Sequence, residues 1–245
     1  MLATGCGGCV SPNELMSDSP AFPFSIALAT HIVAGTLALV AGPVAMIVGK
    51  GSRGHRRAGL IYFWAMAVVA ITAIVLSVMR SGWFLLLVGI FSFYLAFTGL
   101  RAVRNKLPQK QAAAPDWIAA VLMLLASVGL VIWALVGASP GFRPVAWTFG
   151  GIGGFFAVQD VTRFLRQSGD PMAWWFEHMV RMLAAYIATF TAFAVVNLSF
   201  LPRMIPWLVP TLVGTIGIIV WTRHYRVRFA SRSKAADSLS GRTAP

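Results

Sequence analysis

The side chains of this chain that could do chemistry gather at the start of one long apolar stretch, which runs from Trp174 to about Phe200. Glu177 and Arg181 are four residues apart, so on a helix they lie on one face and can form an ion pair. His178 and Arg181 are three residues apart and share a face as well. Ionisable groups inside an apolar helix are costly without a partner or a polar cavity, so this trio marks a candidate functional site.

The composition places these groups in a membrane protein. Of the 245 residues 58% are hydrophobic and only 11% are charged, which is too little charge to cover a soluble domain. The apolar residues also fall in blocks that reach the length of about 20 residues needed to cross a bilayer. We therefore predict an all-α polytopic membrane protein, a bundle of seven transmembrane helices at about 24–48, 59–79, 83–100, 116–137, 145–164, 173–200 and 205–222.

The distribution of basic residues predicts how this bundle is oriented. The net charge is +13, and sixteen of the 20 Lys and Arg lie in the loops after the first, third and fifth spans or in the C-terminal tail. By the positive-inside rule, the N-terminus is outside and the C-terminus is cytoplasmic in a bacterial inner membrane. The same rule accounts for the charge, so we expect a lipid bilayer as the partner and no nucleic acid.

Three segments follow from this pattern: a flexible N-terminal tail at 1–21, a membrane domain at 22–228 and a basic, disordered tail at 229–245. Cys6 and Cys9 in the first segment permit a disulfide, a redox pair or half of a metal site, and a plain flexible tail is favoured. Gly150 and Gly154 form a small-xxx-small pair inside the fifth span, which favours close packing against another helix.

Counting residues along each span at 1.5 Å per residue places several polar side chains at one depth, near the cytoplasmic interface. This candidate cluster comprises His55, Tyr62, Asp160, Glu177, His178 and Arg181. Each could instead have a structural role; Asp160 or Glu177 would then only neutralise Arg181, and His55 would be an exposed loop residue. His31 lies apart, in the outer half of the first span.

Several chemistries remain open for such a cluster. Two axial histidines could hold haem, but His31 and His178 come out in opposite halves of the bilayer, which argues against a shared iron. His55, His178 and a carboxylate could bind a metal ion. Titratable groups around a cavity could also carry a proton or a solute. No nucleophile with an adjacent base is evident, so hydrolase chemistry is not indicated.

Two segments resemble a known family. The first runs from His31 to Pro43 and continues as Gly-His-Arg-Arg-Ala-Gly-Leu-Ile-Tyr over 54–62; the second is His178-Met-Val-Arg181 with the residues up to Asn197. Together they resemble an uncharacterised bacterial family of multi-pass membrane proteins, domain of unknown function 2306 (DUF2306). The resemblance implies no activity; it implies that polar and glycine positions of the pattern are matched by His31, His55, Arg57, Gly59, Tyr62, His178, Arg181, Tyr186 and Asn197.

The sequence thus predicts an integral membrane protein whose cytoplasmic-side cluster has a small-molecule, proton or metal-ion role. His31, Tyr186 and Asn197 are secondary candidate positions. The alternatives are a membrane redox protein that binds haem or quinone, and a structural or assembly subunit. Whether the protein is an enzyme, which cofactor it holds and how many copies assemble are left open.

Overall fold

A computed structural model describes residues 21–80, 82–106, 112–166, 172–202 and 204–240 of the chain. These residues form seven α-helices and no strand. The helices are α1 (Ala21–Ile47), α2 (Arg53–Met79), α3 (Trp83–Arg104), α4 (Ala114–Val136), α5 (Arg143–Leu165), α6 (Ala173–Asn197) and α7 (Met204–Ser240). The predicted all-helical bundle of seven helices is confirmed. The predicted N-terminal tail, with Cys6 and Cys9, lies outside the described residues.

Six of the seven helices are long and apolar enough to cross a membrane. The exception is α5, which carries Gln159, Asp160 and Arg163 near its C-terminal end and four glycines in its middle. Each of these residues lowers the hydropathy of the helix without shortening it. α7 is 37 residues long, about 55 Å at 1.5 Å per residue, and it continues past residue 228, where the sequence analysis placed the start of the tail.

Consecutive helices from α1 to α5 pack against one another in sequence order, and α6 returns to pack against α3, α7 and α1. α3 is therefore the central helix, with α2, α4, α5 and α6 around it. Neither α2 and α6 nor α5 and α6 pack backbone to backbone in the described residues. Those two gaps hold most of the candidate site residues.

Glycines on α5 allow this helix to approach α4 closely. A Cβ atom added to Gly150 would lie 3.1 Å from the Ser127 carbonyl oxygen, and one added to Gly153 would lie 2.8 Å from Ser127 Oγ. One added to Gly154 would make an ordinary contact at 3.6 Å. The close approach predicted for the fifth span is therefore present, but Gly153 rather than Gly154 provides the second tight position.

The two ends of the bundle differ. One end is closed by a cluster of aromatic rings whose centroids are 5.0–6.5 Å apart: Phe84, Trp133, Phe142, Phe149 and Trp207. The other end, which we call the basic end, contains the last turns of α1, α3 and α5, the first turns of α2, α4 and α6, and α7 after Thr222. The candidate site residues lie at the basic end, apart from His31, Tyr186 and Asn197.

Candidate functional site

The gap between α5 and α6 is bridged by a buried ion pair. Arg181 on α6 and Asp160 on α5 are each 1% exposed, and Arg181 Nη2 lies 2.6 Å from Asp160 Oδ1. The Tyr94 hydroxyl on α3 donates to the other carboxylate oxygen and accepts a hydrogen bond from Arg181 Nη1 at 3.1 Å. Thr98 Oγ1 accepts from the same nitrogen at 3.3 Å. The two charges are thus paired and hydrogen-bonded, which makes their burial tolerable.

A second pair of charges completes this group. Arg163 forms an ion pair with Glu177, and its Nη2 also lies 3.2 Å from Asp160 Oδ1. Glu177 is 3.9 Å from Arg181, its neighbour four residues along α6. We call these residues, together with Tyr94, the ion-pair network. Because the network holds two arginines and two carboxylates, its formal charge is zero and it needs no further counter-ion.

His55 and His178 lie in a different place, the gap between α2 and α6. Their ring centroids are 6.2 Å apart and their planes meet at 82°. His178 Nδ1 is 2.8 Å from the carbonyl oxygen of Gly99, and His55 Nδ1 is 2.8 Å from that of Ala45. A ring nitrogen must donate its hydrogen to bond a carbonyl, so both neutral rings carry their hydrogen on Nδ1 and leave the Nε2 lone pair available.

Local structure explains both of these hydrogen bonds. The last carbonyls of α1 have no partner within their helix, so Ala45 is free to accept from His55, the third residue of α2. On the other side, Gly99 lets α6 approach α3, because a Cβ there would lie 2.9 Å from Met182 Sδ. His55 is therefore held at the inner wall of the bundle, rather than in an exposed loop.

Both histidines line one cavity of about 500 Å³, which we call the histidine cavity. Its wall is formed by residues of α1, α2, α3, α6 and α7, and it is mostly aromatic and aliphatic. Tyr62 and Tyr186 form one side, with ring centroids 6.5 Å apart. Trp174, Trp175 and Trp221 form part of the rest. The volume is within the range of about 300–1,000 Å³ that small-molecule sites occupy.

Cations line the same cavity. The Lys50 ammonium donates to the Met46 carbonyl and lies 5.9 Å from the ring centroid of Trp221. The Lys106 ammonium lies 4.5 Å from the ring centroid of Trp174, and Arg56 also faces the cavity. Burial of its ammonium lowers the pKa of Lys50.

No carboxylate among the described side chains neutralises these three cations. Asp116 is the third carboxylate of the described side chains, beside the two in the ion-pair network, and it forms a bidentate pair with Arg101 at 2.6 Å. All three carboxylates are therefore paired with arginines away from the cavity. Among the described side chains, the histidine cavity is left with a positive lining and no anion.

The structure divides the predicted cluster into two groups. His55, Tyr62 and His178 belong to the histidine cavity, whereas Asp160, Glu177 and Arg181 belong to the ion-pair network. Of the secondary positions, Tyr186 joins the cavity and donates to the Leu39 carbonyl at 3.3 Å.

The other two secondary positions lie elsewhere. His31 Nδ1 is 2.9 Å from Thr72 Oγ1 between α1 and α2, and Asn197 is exposed and bonds within its own helix. His31 is sixteen residues before the end of α1, about 24 Å from the basic end, whereas His178 is about 8 Å into α6. One iron ion therefore cannot bind both His31 and His178.

Several residues of the site were not found by the sequence analysis. Tyr94 and Thr98 lie one turn apart on α3 and Gly99 follows Thr98, in a stretch with the composition of an ordinary apolar span. Arg163 was counted as a loop charge. A polar residue in each successive turn of one span is the signal that could have identified the α3 face.

The residues that could hold a metal ion or cofactor are the two cavity histidines. No three His, Cys, Asp or Glu side chains converge as a metal-binding group within the part of the chain that the structure describes. A site made of His55, His178 and a carboxylate is therefore not formed, because Asp160 and Glu177 are engaged with arginines. Any further ligand of a metal ion in this cavity must come from outside the described protein.

A family described as predicted membrane protein (DUF2306) matches residues 28–143 of the chain, from α1 to the start of α5. The resemblance predicted from the first segment is confirmed there, and the matched range includes His55, Gly59 and Tyr62 of the cavity. The second segment, at 178–197, lies outside it. No curated protein and no solved structure matches the chain. The class defined by fold and family is thus a multi-pass helical membrane protein.

Proposed function

We propose that this protein binds an acidic, amphipathic small molecule in the histidine cavity, with the basic end in the cytoplasm of a bacterial cell. The observation that carries the proposal is the lining of the cavity. Apolar and aromatic walls surround about 500 Å³, and Lys50, Arg56 and Lys106 face it without a carboxylate partner among the described side chains. A molecule with an apolar body and one or two acid groups complements both features.

Electrostatics supports an anion rather than a cation. Two like charges 4 Å apart interact by about 4 kcal/mol at the effective dielectric of a protein surface. A metal cation added to this lining would be repelled by the cations nearby, whereas an acid group would be attracted by them. This argument disfavours the predicted role for a free metal ion and favours the predicted role for a small molecule.

The positive-inside rule alone does not require this arrangement. Basic residues that only fix orientation extend toward water and lipid headgroups. Lys50 instead folds back onto the end of α1, and Lys106 lies over the face of Trp174. Both lysines remain exposed to solvent, but these contacts hold their ammonium groups beside the cavity. A structural or assembly role gives no reason to keep an open cavity beside them.

The experiment uses two glycines with open space beside them. Gly59 lines the cavity and a Cβ there meets no atom within 4 Å, so Gly59→Phe is chosen to place a ring in the cavity. Gly35 on α1 has equally open space away from the cavity, so Gly35→Phe is the matched control. The thermal midpoint of each protein in maltoside micelles is measured with dodecyl phosphate, dodecyltrimethylammonium or no addition.

We expect dodecyl phosphate to stabilise the wild type and Gly35→Phe but not Gly59→Phe. At a concentration of 100 times Kd, binding adds about 2.7 kcal/mol to the free energy of unfolding. The ammonium amphiphile, which has the same chain, is expected to give no shift. Equal shifts for both amphiphiles in all three proteins would show adsorption to the apolar surface and would refute the proposal.

The orientation is tested separately. Reporter fusions after Lys110 and after Arg228 are expected to be cytoplasmic, and a fusion after Arg143 external, because the basic loops stay on the side of synthesis. A cytoplasmic signal after Arg143 would place α4 and α5 differently in the membrane. It would also remove the cytoplasmic assignment of the cavity, while leaving the ligand itself open to the binding experiment.

A further inference from the structure

We propose that the molecule in the histidine cavity is a b-type haem whose iron is bound axially by His55 and His178. The inference rests on the proposed ligand-binding function and names the ligand. It depends on three observations: the separation of the two rings, the hydrogen bonds on their far nitrogens, and the cations around the cavity. Nothing in the family description assigns a cofactor to these residues.

The ring separation matches two imidazoles on opposite sides of one metal ion. A metal–imidazole bond is about 2.0–2.1 Å and the nitrogen is about 1.1 Å from the ring centre, so two trans rings have centroids about 6.3 Å apart. The observed centroid separation is 6.2 Å. At a tetrahedral angle, as zinc requires, the same bonds would bring the centroids to about 5.1 Å. The ring separation is that of two trans imidazole ligands and is about 1 Å wider than a zinc-type site would have.

The hydrogen bonds prepare both rings for this role. A metal-binding histidine almost always donates its other ring hydrogen to a carbonyl or carboxylate, which fixes the tautomer and orients the ring. His55 and His178 each have a backbone carbonyl 2.8 Å from Nδ1, provided by Ala45 and Gly99. The nitrogen that remains in each ring is Nε2, the atom needed for axial ligation.

The surroundings distinguish haem from a bare ion held by the same two nitrogens. A linear two-coordinate ion would need no cavity and would add its charge to a positive lining. A haem brings two propionate carboxylates, which Lys50 and Lys106 can bind at the basic end. α2 and α6, which carry the two histidines, do not pack backbone to backbone, and Tyr62 and Thr189 connect them at 3.0 Å deeper in the bundle. A flat apolar ring would therefore lie on the histidine side of that contact.

The small residues of the cavity are consistent with a flat ligand. Gly59 has open space where a side chain would project toward the cavity, and the ring of Tyr186 occupies the place of a Gly42 side chain. The same glycines in a cavity filled by protein side chains would leave voids. Here the space beside Gly59 is continuous with the volume that the two histidines line.

The test is a titration of the purified protein with haemin, followed by absorbance before and after reduction with dithionite. We expect saturation at one haem per chain, with a Soret band and sharp α and β bands typical of low-spin iron with two nitrogen ligands. His55→Gly and His178→Gly are each expected to lose the low-spin spectrum. Imidazole added to either variant is expected to restore it for haem that co-elutes with the protein on gel filtration, a condition that is needed because free haemin with excess imidazole is also low-spin.

The matched controls are His31→Gly and His224→Gly, since both remove a histidine outside the cavity, and both are expected to keep the wild-type spectrum. A wild type with no saturable low-spin spectrum, or one retained in both His55→Gly and His178→Gly, overturns the haem assignment and leaves the two rings as an aromatic pair only. If the wild type binds no haem but is still stabilised by dodecyl phosphate, the proposed function stands and only the haem assignment fails. If the wild type binds neither haem nor dodecyl phosphate, both proposals fail.

Discussion

The ion-pair network and the histidine cavity lie at the same end of the bundle and share one helix, α6, yet they differ in how their charges are compensated. The network buries four charges that cancel, and the Arg181–Asp160 pair within it is 1% exposed on both sides. The cavity keeps about 500 Å³ open beside cations that no described carboxylate neutralises. One region is neutralised by its own side chains, and the other keeps its cations without a carboxylate partner among the described residues.

The difference shows that ionisable groups in a membrane bundle are not equivalent evidence of function. Burial of a charge by itself indicates a partner, and in the network that partner is another side chain that ties α5 to α6. Cations beside an open apolar cavity are the stronger indication of a binding site, because no carboxylate among the described side chains neutralises them. The two regions are therefore expected to respond differently to matched substitutions.

The largest effect is expected in the network. Asp160→Asn leaves the buried Arg181 without its main counter-charge, and removal of one partner of a buried pair costs about 3–5 kcal/mol. The double variant Asp160→Asn with Arg181→Gln removes both charges and is expected to recover much of the lost stability. The free energy of unfolding in mixed micelles is the measurement. A stability loss in the double variant equal to that in Asp160→Asn would contradict the pairing.

A new side chain is expected to destabilise the packed region and not the cavity. Gly153→Phe places a ring where Met123 and Ser127 already lie, and overpacking costs about 1–3 kcal/mol or more. Gly59→Phe places the same ring in open space, so the melting midpoint without ligand is expected to stay near the wild-type value. Equal losses in both variants would show that the space beside Gly59 is filled in the protein in solution.

His178→Ala is expected to cost less than either change above. It removes one hydrogen bond to a backbone carbonyl that keeps its helical partner, a loss of about 0.5–1.5 kcal/mol, and leaves no buried charge. His31→Ala is the control because it also removes one bond, that to Thr72. Thermal midpoints measure both. If His178→Ala unfolds the protein while His31→Ala does not, the His178 imidazole stabilises the fold by more than its hydrogen bond to the Gly99 carbonyl.

The smallest effect is expected from Lys106→Met, which keeps the length of the side chain and removes its charge. Surface changes of this kind usually alter stability by less than about 0.5 kcal/mol, so the ligand-free midpoint is expected to remain unchanged. Binding of dodecyl phosphate, measured by the same thermal shift, is expected to weaken. Unchanged binding would remove Lys106 from the acid-binding lining, and an increase would contradict the electrostatic account.

The sequence predicted the helices and the depth of the polar residues, because both follow from position along an apolar span. It could not divide the cluster, since that depends on which way each side chain faces around its helix. Membrane helices are apolar on the lipid side and on the protein side alike, so their hydropathy does not reveal the buried face. His178 and Arg181 share a depth, yet one contacts Gly99 and His55 and the other contacts Asp160.

The same limit explains the residues that were missed or misplaced. Tyr94 reads as one more aromatic residue of α3, and only its contact with Asp160 and Arg181 shows its role. His55 follows a basic loop in the sequence, and only the end of α1 turns its ring inward. Gly153 and Gly154 are neighbours in the sequence, and the orientation of α5 toward α4 decides which of them is tightly packed.

The most direct test of the division between the two regions is the stabilisation by dodecyl phosphate in two double variants. Lys50→Met with Lys106→Met changes the cavity, and Asp160→Asn with Arg181→Gln changes the network while keeping its charges balanced. The account predicts that the thermal shift is lost in the first and kept in the second, although the second is the less stable protein without ligand. A shift kept in the lysine variant and lost in the network variant would contradict it.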